Sequence, residues 1–154
     1  MQRIRFTLLA LALAISVESL AQNDERANFF EVPFVQVTDA IQACPRQKEP
    51  KITRAEMAAE AHYRAERGTS CFQSGRCRLP NAYMYDKEII PRVEKAILAD
   101  GRFANTSIWV EGQRRWVWLK GCVTSEAQAL SIERLVRDID DVEVVINELN
   151  LQKQ

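Results

Sequence analysis

The spacing of apolar residues changes four times along the stretch Asp86–Leu151, and each spacing predicts one element of secondary structure. Apolar residues three or four apart predict one face of a helix, and apolar residues that alternate with polar ones predict a half-buried strand. The positions that carry these patterns are Ile89, Val93 and Ile97 (helical), Ile108 and Val110 (alternating), Val117 and Leu119 (alternating), Ile132, Leu135, Val136 and Ile139 (helical), and Val145, Asn147, Leu149 and Leu151 (alternating). The predicted order is helix–strand–strand–helix–strand.

This order predicts an α+β fold in which a small three-stranded mixed sheet is covered on one face by two helices. Residues 86–151 would form this domain. Residues 22–85 would form a disulfide-tied N-terminal extension with a cysteine-rich loop and one helix, and residues 1–21 would be a signal peptide outside the fold.

The stretch Asp86–Leu151 resembles the BON domain family. The positions that carry the resemblance are Asp86, Ile89, Val93, Ile97, Ile108, Val110, Val117, Leu119, Gly121, Val123, Ser125, Val142, Val145, Asn147, Leu149 and Leu151. One residue departs from the pattern, because Asp141 stands where the family usually has glycine, at the turn that leaves the second helix. Aspartate tolerates a positive φ better than most residues, so we expect the turn to persist.

The N-terminus predicts export. Arg3 and Arg5 form a charged region, Phe6–Ile15 is apolar, and Ser19-Leu20-Ala21 has small residues where a signal peptidase needs them. This pattern is typical of a secretory signal peptide that is cleaved after Ala21. The chain has 21 basic and 21 acidic residues, and the leader removes two arginines and one glutamate, so the mature chain has a net charge of −1. Such a balance gives no overall attraction to nucleic acid or to anionic lipid.

The extension contains two segments with a predictable conformation. Phe29–Val35 is too apolar to remain free in water, and Pro33 argues against a central strand, so we expect an extended piece that docks on the domain. Thr53 and Glu56 form a capping box that should start a helix, and Gly68 is expected to end that helix.

The four cysteines of an exported chain predict two disulfides. They are Cys44, Cys71, Cys77 and Cys122, and three connectivities are possible. We prefer Cys71–Cys77 with Cys44–Cys122, because Gly75 lets the intervening loop turn back on itself. A metal site is not expected, since the cysteine spacing is not that of a zinc or haem motif and His62 is the one histidine of the chain.

The sequence offers no constellation of the kind that catalysis requires. A catalytic site needs a nucleophile beside a base, a pair of carboxylates with separated pKa values, or a metal. One histidine excludes most such arrangements, and neither a glycine-rich phosphate loop nor a G-x-S-x-G motif occurs. We therefore expect no enzyme activity and no cofactor.

Three tryptophans are predicted to share the sheet face that points away from the helices. If Ile108, Val110, Val117 and Leu119 face the helices, then the alternation of a strand turns Trp109, Trp116 and Trp118 the other way, with Ile146 beside them. Three indoles present about 600 Å² of aromatic surface, which a soluble monomer rarely leaves bare. The favoured hypothesis is that the extension covers them through Phe29, Phe34, Tyr83 and Tyr85; the alternative is a lipid or protein contact that includes Arg114 and Arg115.

The BON resemblance implies a non-catalytic cell-envelope module of the periplasm that binds a phospholipid surface. The alternative is a protein–protein interaction or envelope assembly factor. Neither nucleic acid nor a small-molecule substrate is expected as a partner. The candidate contact residues are Trp109, Arg114, Arg115, Trp116 and Trp118.

Overall fold

Four strands form a single mixed sheet, with three α-helices around it. The computed structural model describes residues 25–152, so the predicted signal peptide and its cleavage site lie outside the described residues. The strands are β1 (Phe34–Gln36), β2 (Ser107–Gln113), β3 (Trp116–Val123) and β4 (Val144–Leu151), and the helices are α1 (Arg54–Gln73), α2 (Asp86–Ala99) and α3 (Glu126–Arg137). Short 3-10 helices cover Ala82–Tyr85 and Gly101–Phe103. Among residues 25–152, no helix combines the length and the apolar character that a membrane span requires.

The sheet has the order β1-β2-β3-β4, which corrects the predicted three strands to four. Strands β2 and β3 form an antiparallel hairpin, and β4 returns parallel to β3 after helix α3. The additional strand, β1, comes from the extension and pairs antiparallel with β2. Pro33 did not prevent this pairing, because it precedes the strand and contributes only its carbonyl, which accepts the Gly112 N–H at 2.9 Å. The α+β class and the mixed sheet are confirmed.

Helices α2 and α3 cover one face of the sheet, and the core lies between them. Ile108, Val110, Val117 and Leu119 are completely buried on this face, as the alternation predicted. The helices contribute the apolar residues of their predicted stripes, which are Ile89, Val93, Ile97, Ile132 and Val136. Burial of each such side chain stabilises the fold by about 1.5–3 kcal/mol, so this layer is the main source of stability.

Helix α1 begins as predicted but does not end at Gly68. The Thr53 hydroxyl accepts the Glu56 N–H at 3.2 Å, and the Glu56 carboxylate accepts the Thr53 N–H at 2.7 Å, which completes the capping box. The helix continues to Gln73, so the predicted end is wrong. Gly68 is buried, and a Cβ there would clash with the side-chain amide of Asn81. Glycine at this position therefore allows the Asn81 side chain to pack directly against the backbone of α1.

Both disulfides of the preferred pairing are present. Cys44–Cys122 joins the extension to β3, with a sequence separation of 78. Cys71–Cys77 closes the loop that follows α1, with a separation of 6. The first of these bridges fixes the extension across the sheet face that is not covered by α2 and α3.

The turn after α3 has the conformation that was expected from Asp141. This residue has a φ of 73°, so aspartate does adopt the left-handed region where the family usually has glycine. Its carboxylate also accepts a hydrogen bond from Arg92 at 3.0 Å and lies 3.6 Å from the Arg78 guanidinium. The side chain that replaces glycine thus connects the turn to α2.

Candidate functional site

The face of the sheet opposite α2 and α3 carries all three tryptophans, as predicted. Trp109 pairs with Lys120, and Trp118 pairs with Glu111 across the β2–β3 hairpin. On the other side of β3, Trp116 and Trp118 pair with Val144 and Ile146 of β4. Residues that pair directly across a sheet share a face, so these side chains form one continuous surface.

The extension covers the Trp109 end of this surface. Trp109 is only 4% exposed. It lines a cavity of about 530 Å³ together with Phe34, Gln36 and the loop residues Arg46, Gln47, Glu49 and Lys51. The Ile41 N–H donates to the Ser107 hydroxyl at 2.8 Å, and the Cys44–Cys122 bridge anchors the same segment. The favoured hypothesis of a cover by the extension therefore holds for Trp109.

Three of the four aromatic residues expected to form this cover lie elsewhere, so that part of the prediction is wrong. Phe29 contacts the Arg54 guanidinium, with 4.8 Å between the ring centroid and Cζ, and Tyr83 contacts Arg64 in the same way at 3.9 Å. Tyr85 is 2% exposed and belongs to the core on the helix side. The segment Ala82–Tyr85 forms a 3-10 helix that runs directly into α2, which carries it away from the tryptophans.

The other end of the face remains partly exposed, and we call it the tryptophan patch: Trp116, Trp118, Val144 and Ile146. The ring centroids of the two tryptophans are 6.1 Å apart. Val144 is 36% exposed at the sheet edge. The Trp116 indole N–H is buried and has no hydrogen-bond partner among residues 25–152. Such a donor costs about 1–3 kcal/mol while it is unpaired.

The two candidate arginines have different environments. The Arg114 guanidinium lies 4.9 Å from the Trp116 ring centroid, and no acidic side chain of the described residues is within salt-bridge distance of it. Arg115 donates from Nε to the Asp141 carbonyl at 2.8 Å, and its side chain is 19% exposed. It also approaches the Cys77 sulfur at 3.3 Å. Arg115 is therefore a structural residue, and Arg114 is the cation beside the patch.

A buried carboxylate fixes the turn that presents Arg114. Arg114 and Arg115 have φ values of 58° and 67°, the geometry of a two-residue type I′ hairpin turn, which asparagine and glycine usually form. Left-handed conformations cost about 1–2 kcal/mol per residue for side chains such as arginine. The Asp86 carboxylate, at the start of α2, accepts both backbone N–H groups, at 2.6 and 2.7 Å. These bonds offset the strain.

Burial raises the pKa of Asp86 to about 6, although the hydrogen bonds from Arg115 and Arg114 and the charge of Arg64 lower it. The carboxyl group therefore carries a desolvation cost whenever it is ionised. The sequence pattern drew attention to Asp86 at the start of the first helix but gave no sign of this clamp, because backbone donors leave no trace in a sequence.

An ion pair between Lys120 and Glu111 lies between the covered and the exposed parts of the face. Lys120 donates to the Glu111 carboxylate at 2.7 Å, and their side chains are 21% and 11% exposed. Because these charges neutralise each other, they add no net charge beside the patch. The local positive charge comes from Arg114.

His62, the one histidine of the chain, is not part of the tryptophan patch. It is on the outer side of α1, where its side chain is 86% exposed and lies 3.2 Å from Glu66. Within residues 25–152, no three histidine, cysteine or acidic side chains are grouped as metal ligands would be.

The fold is a small α+β domain, and one partly exposed feature of its sheet is the aromatic pair next to Arg114. Residues 85–153 match the family model of the BON domain, so this part of the chain is a BON domain. The match covers the predicted stretch Asp86–Leu151 and confirms the family that the apolar pattern indicated. A comparison with curated proteins finds none that matches the chain.

Proposed function

We propose that this chain is an exported, non-catalytic BON protein that binds phospholipid surfaces through the tryptophan patch and Arg114. The observation that carries the proposal is the partial exposure of Trp116 and Trp118 on β3, next to the edge strand β4. The extension covers Trp109 on the same face and does not cover these two residues. Contiguous apolar surface that remains exposed on a folded protein is a candidate contact site.

The chemistry of the patch suits a membrane interface. Tryptophan places an apolar ring and a polar N–H at the level of lipid headgroups, and arginine extends its charged end toward phosphate. The Trp116 N–H is buried in the unbound protein, so a lipid would contact the exposed part of the Trp116 ring. The mature net charge of −1 that the sequence predicts requires such binding to be local.

Export to the periplasm is part of the proposal, and two observations support it. The N-terminal sequence has the pattern of a cleavable signal peptide. Two disulfides occur among the described residues, and disulfides persist in oxidising compartments such as the periplasm. The intact mass of the exported protein should correspond to a chain that starts at Gln22.

The alternative function, a protein-binding or envelope assembly factor, is favoured by a different feature. Strand β4 is the last strand of the sheet, is eight residues long, and pairs only with β3 among the described residues. An edge of this length can accept a strand from another protein. We regard this edge as the second candidate site.

Vesicle co-sedimentation distinguishes the two functions. The protein should bind vesicles of mixed phosphatidylcholine and phosphatidylglycerol, and Trp118→Ala should abolish most of this binding. Arg114→Glu should weaken it, and so should added salt, because exposed charges are screened over about 8–10 Å. Arg115 is left unchanged, since its loss would disturb the fold.

Matched variants control for altered charge and altered stability. Lys95→Glu changes the net charge by the same amount as Arg114→Glu, at an exposed position of α2, and should leave binding intact. Trp109→Phe alters the covered tryptophan and should also leave binding intact. If the folded wild-type protein does not bind the mixed vesicles, the lipid proposal is wrong and the β4 edge becomes the preferred site.

A further inference from the structure

A groove lies between helix α1 and the 3-10 helix Ala82–Tyr85, away from the tryptophan patch. It has a volume of about 540 Å³, within the range of small-molecule sites. Its lining includes Phe30, Ala61, Arg64, Ala65, Tyr83 and Met84, and none of these residues belongs to the patch. The small side chains of Ala61 and Ala65 leave the groove open, and Met84 is 51% exposed along it.

Arg64 lies in this groove between two aromatic rings. Its Cζ is 4.0 Å from the Phe30 ring centroid and 3.9 Å from the Tyr83 ring centroid. Both rings therefore contact the guanidinium and hold it in place in the groove. The N–H donors of Arg64 point outward in the guanidinium plane.

Arg64 makes no salt bridge within the described part of the chain. No acidic side chain of residues 25–152 lies within salt-bridge distance of it, although Glu60 stands one helical turn earlier. Burial lowers the pKa of Arg64, which reflects a cation that has lost water. The charges of Glu60 and Asp86 act on Arg64 only from beyond salt-bridge distance. Charged groups that are partly buried are usually paired at contact distance, so this arginine is unusual.

The other polar groups of the groove are donors as well. Asn81 uses its Oδ1 to accept the Tyr83 N–H at 3.0 Å, and its Nδ2 has no acceptor among the described residues. Lys87 bonds Glu31 at 2.7 Å on the exposed rim. The polar end of a ligand here must therefore supply acceptors, and the apolar walls require an apolar remainder.

We propose that this groove binds a small aliphatic carboxylate, with the carboxylate on Arg64 and the chain along Ala61, Ala65 and Met84. A carboxylate is planar and can accept two hydrogen bonds in the guanidinium plane. The charges of Glu60 and Asp86 also act on Arg64, and they repel the nearly doubly charged head of a phosphate monoester more than the single charge of a carboxylate. The charges around the groove therefore favour a carboxylate head, and the site is independent of the proposed lipid surface.

The test uses the full exported chain, oxidised and folded, and decanoate as the probe. Titration is followed by NMR through the Arg64 side-chain Nε–Hε signal and the backbone amides of α1. Decanoate should shift these signals in a saturable manner. Acetate, which lacks the chain, and decyltrimethylammonium, which has the opposite charge, should shift them far less. Decyl phosphate should bind more weakly than decanoate.

Three variants assign the site. Arg64→Gln should weaken decanoate binding by roughly tenfold or more, because a charge-assisted hydrogen bond is among the stronger polar interactions. Ala65→Leu should fill the groove and weaken binding while Arg64 is retained. Arg67→Gln is the matched control, since Arg67 contacts Tyr63 on the same helix and not the groove, and it should leave binding unchanged.

Two results would overturn the assignment. In the first, decanoate shifts signals of the tryptophan patch and not those of α1, with Ala65→Leu having no effect. In the second, decyl phosphate binds as tightly as decanoate or more tightly, which would replace the carboxylate by a phosphate-headed ligand. Neither result depends on whether the protein sediments with vesicles, so the lipid proposal and this one can fail separately.

Discussion

Replacement of Asp86 by asparagine should remove a specific pH dependence from the stability of the fold. In the native protein the Asp86 carboxylate is buried and accepts the backbone N–H groups of Arg114 and Arg115. Its pKa is raised from 3.8 to about 6, chiefly by burial. A raised folded-state pKa means that the native protein holds this proton more tightly than the unfolded chain does. The stability that results is fully present below about pH 4 and is lost as the pH rises through 6.

The size of this effect follows from the pKa values. A difference between 3.8 and about 6 corresponds to about 3 kcal/mol, at 1.36 kcal/mol per pKa unit. Between about pH 4 and pH 7, this group alone should lower the free energy of unfolding of the wild-type protein by about that amount. Asparagine does not titrate and still offers one carbonyl oxygen to the hairpin turn. The advantage of the wild-type protein over Asp86→Asn should therefore shrink by about 3 kcal/mol over this pH range.

Urea unfolding, followed by tryptophan fluorescence at several pH values, measures the two curves. Asp100→Asn is a useful control, because Asp100 is paired with Arg102 and its pKa is lowered, so its contribution has the opposite sign. That contribution is present at neutral pH and is lost as the solution becomes acidic. If the free energies of unfolding of the wild-type protein and of Asp86→Asn change in parallel between pH 4 and 7, the pKa of Asp86 is not raised by burial and this reasoning is wrong.

Two further predictions concern the extension. Removal of the long bridge by Cys44→Ala with Cys122→Ala should cost roughly 4–5 kcal/mol in denaturant unfolding, against roughly 2 kcal/mol for Cys71→Ala with Cys77→Ala, because the stabilisation grows with loop length; equal losses would contradict this reasoning. Gly68→Ala should lower the free energy of unfolding by about 1–3 kcal/mol, since the added methyl group meets Asn81. Alanine is the better helix former, so a higher melting temperature would show that the Asn81 side chain moves aside without cost and would contradict this prediction.

The parts of the fold that the sequence predicted well are those set by periodicity. Ile108, Val110, Val117 and Leu119 are all completely buried against the helices, and the three tryptophans share the opposite face. A strand has two faces and a helix has one apolar stripe, so few alternatives compete with these patterns. The capping box of Thr53 and Glu56 was equally local, and it formed as expected.

The parts that the sequence did not predict depend on contacts between distant segments. Phe29-Phe30 and Phe34 are close in sequence, yet the first two contact arginines of α1 and the third lies on the tryptophan face. Gly68 has the same appearance in a sequence whether it ends a helix or allows Asn81 to approach. Arg114 and Arg115 are adjacent and chemically identical, and only the turn geometry separates a surface cation from a structural one.

The extension determines which part of the aromatic sheet face of the BON domain remains exposed. Strand β1 and the loop anchored at Cys44 occupy the β2 side of the face, so Trp109 is buried while Trp116 and Trp118 are left at the β4 side. Without that segment, the face would expose three tryptophans, and the proposed lipid contact would no longer be restricted to the β4 side. Asp86 then fixes the hairpin that places Arg114 at this edge. The extension thus buries the Trp109 end of the aromatic face, and Asp86 holds the turn that places Arg114 beside the other end. The surface that remains exposed is small and carries one positive charge.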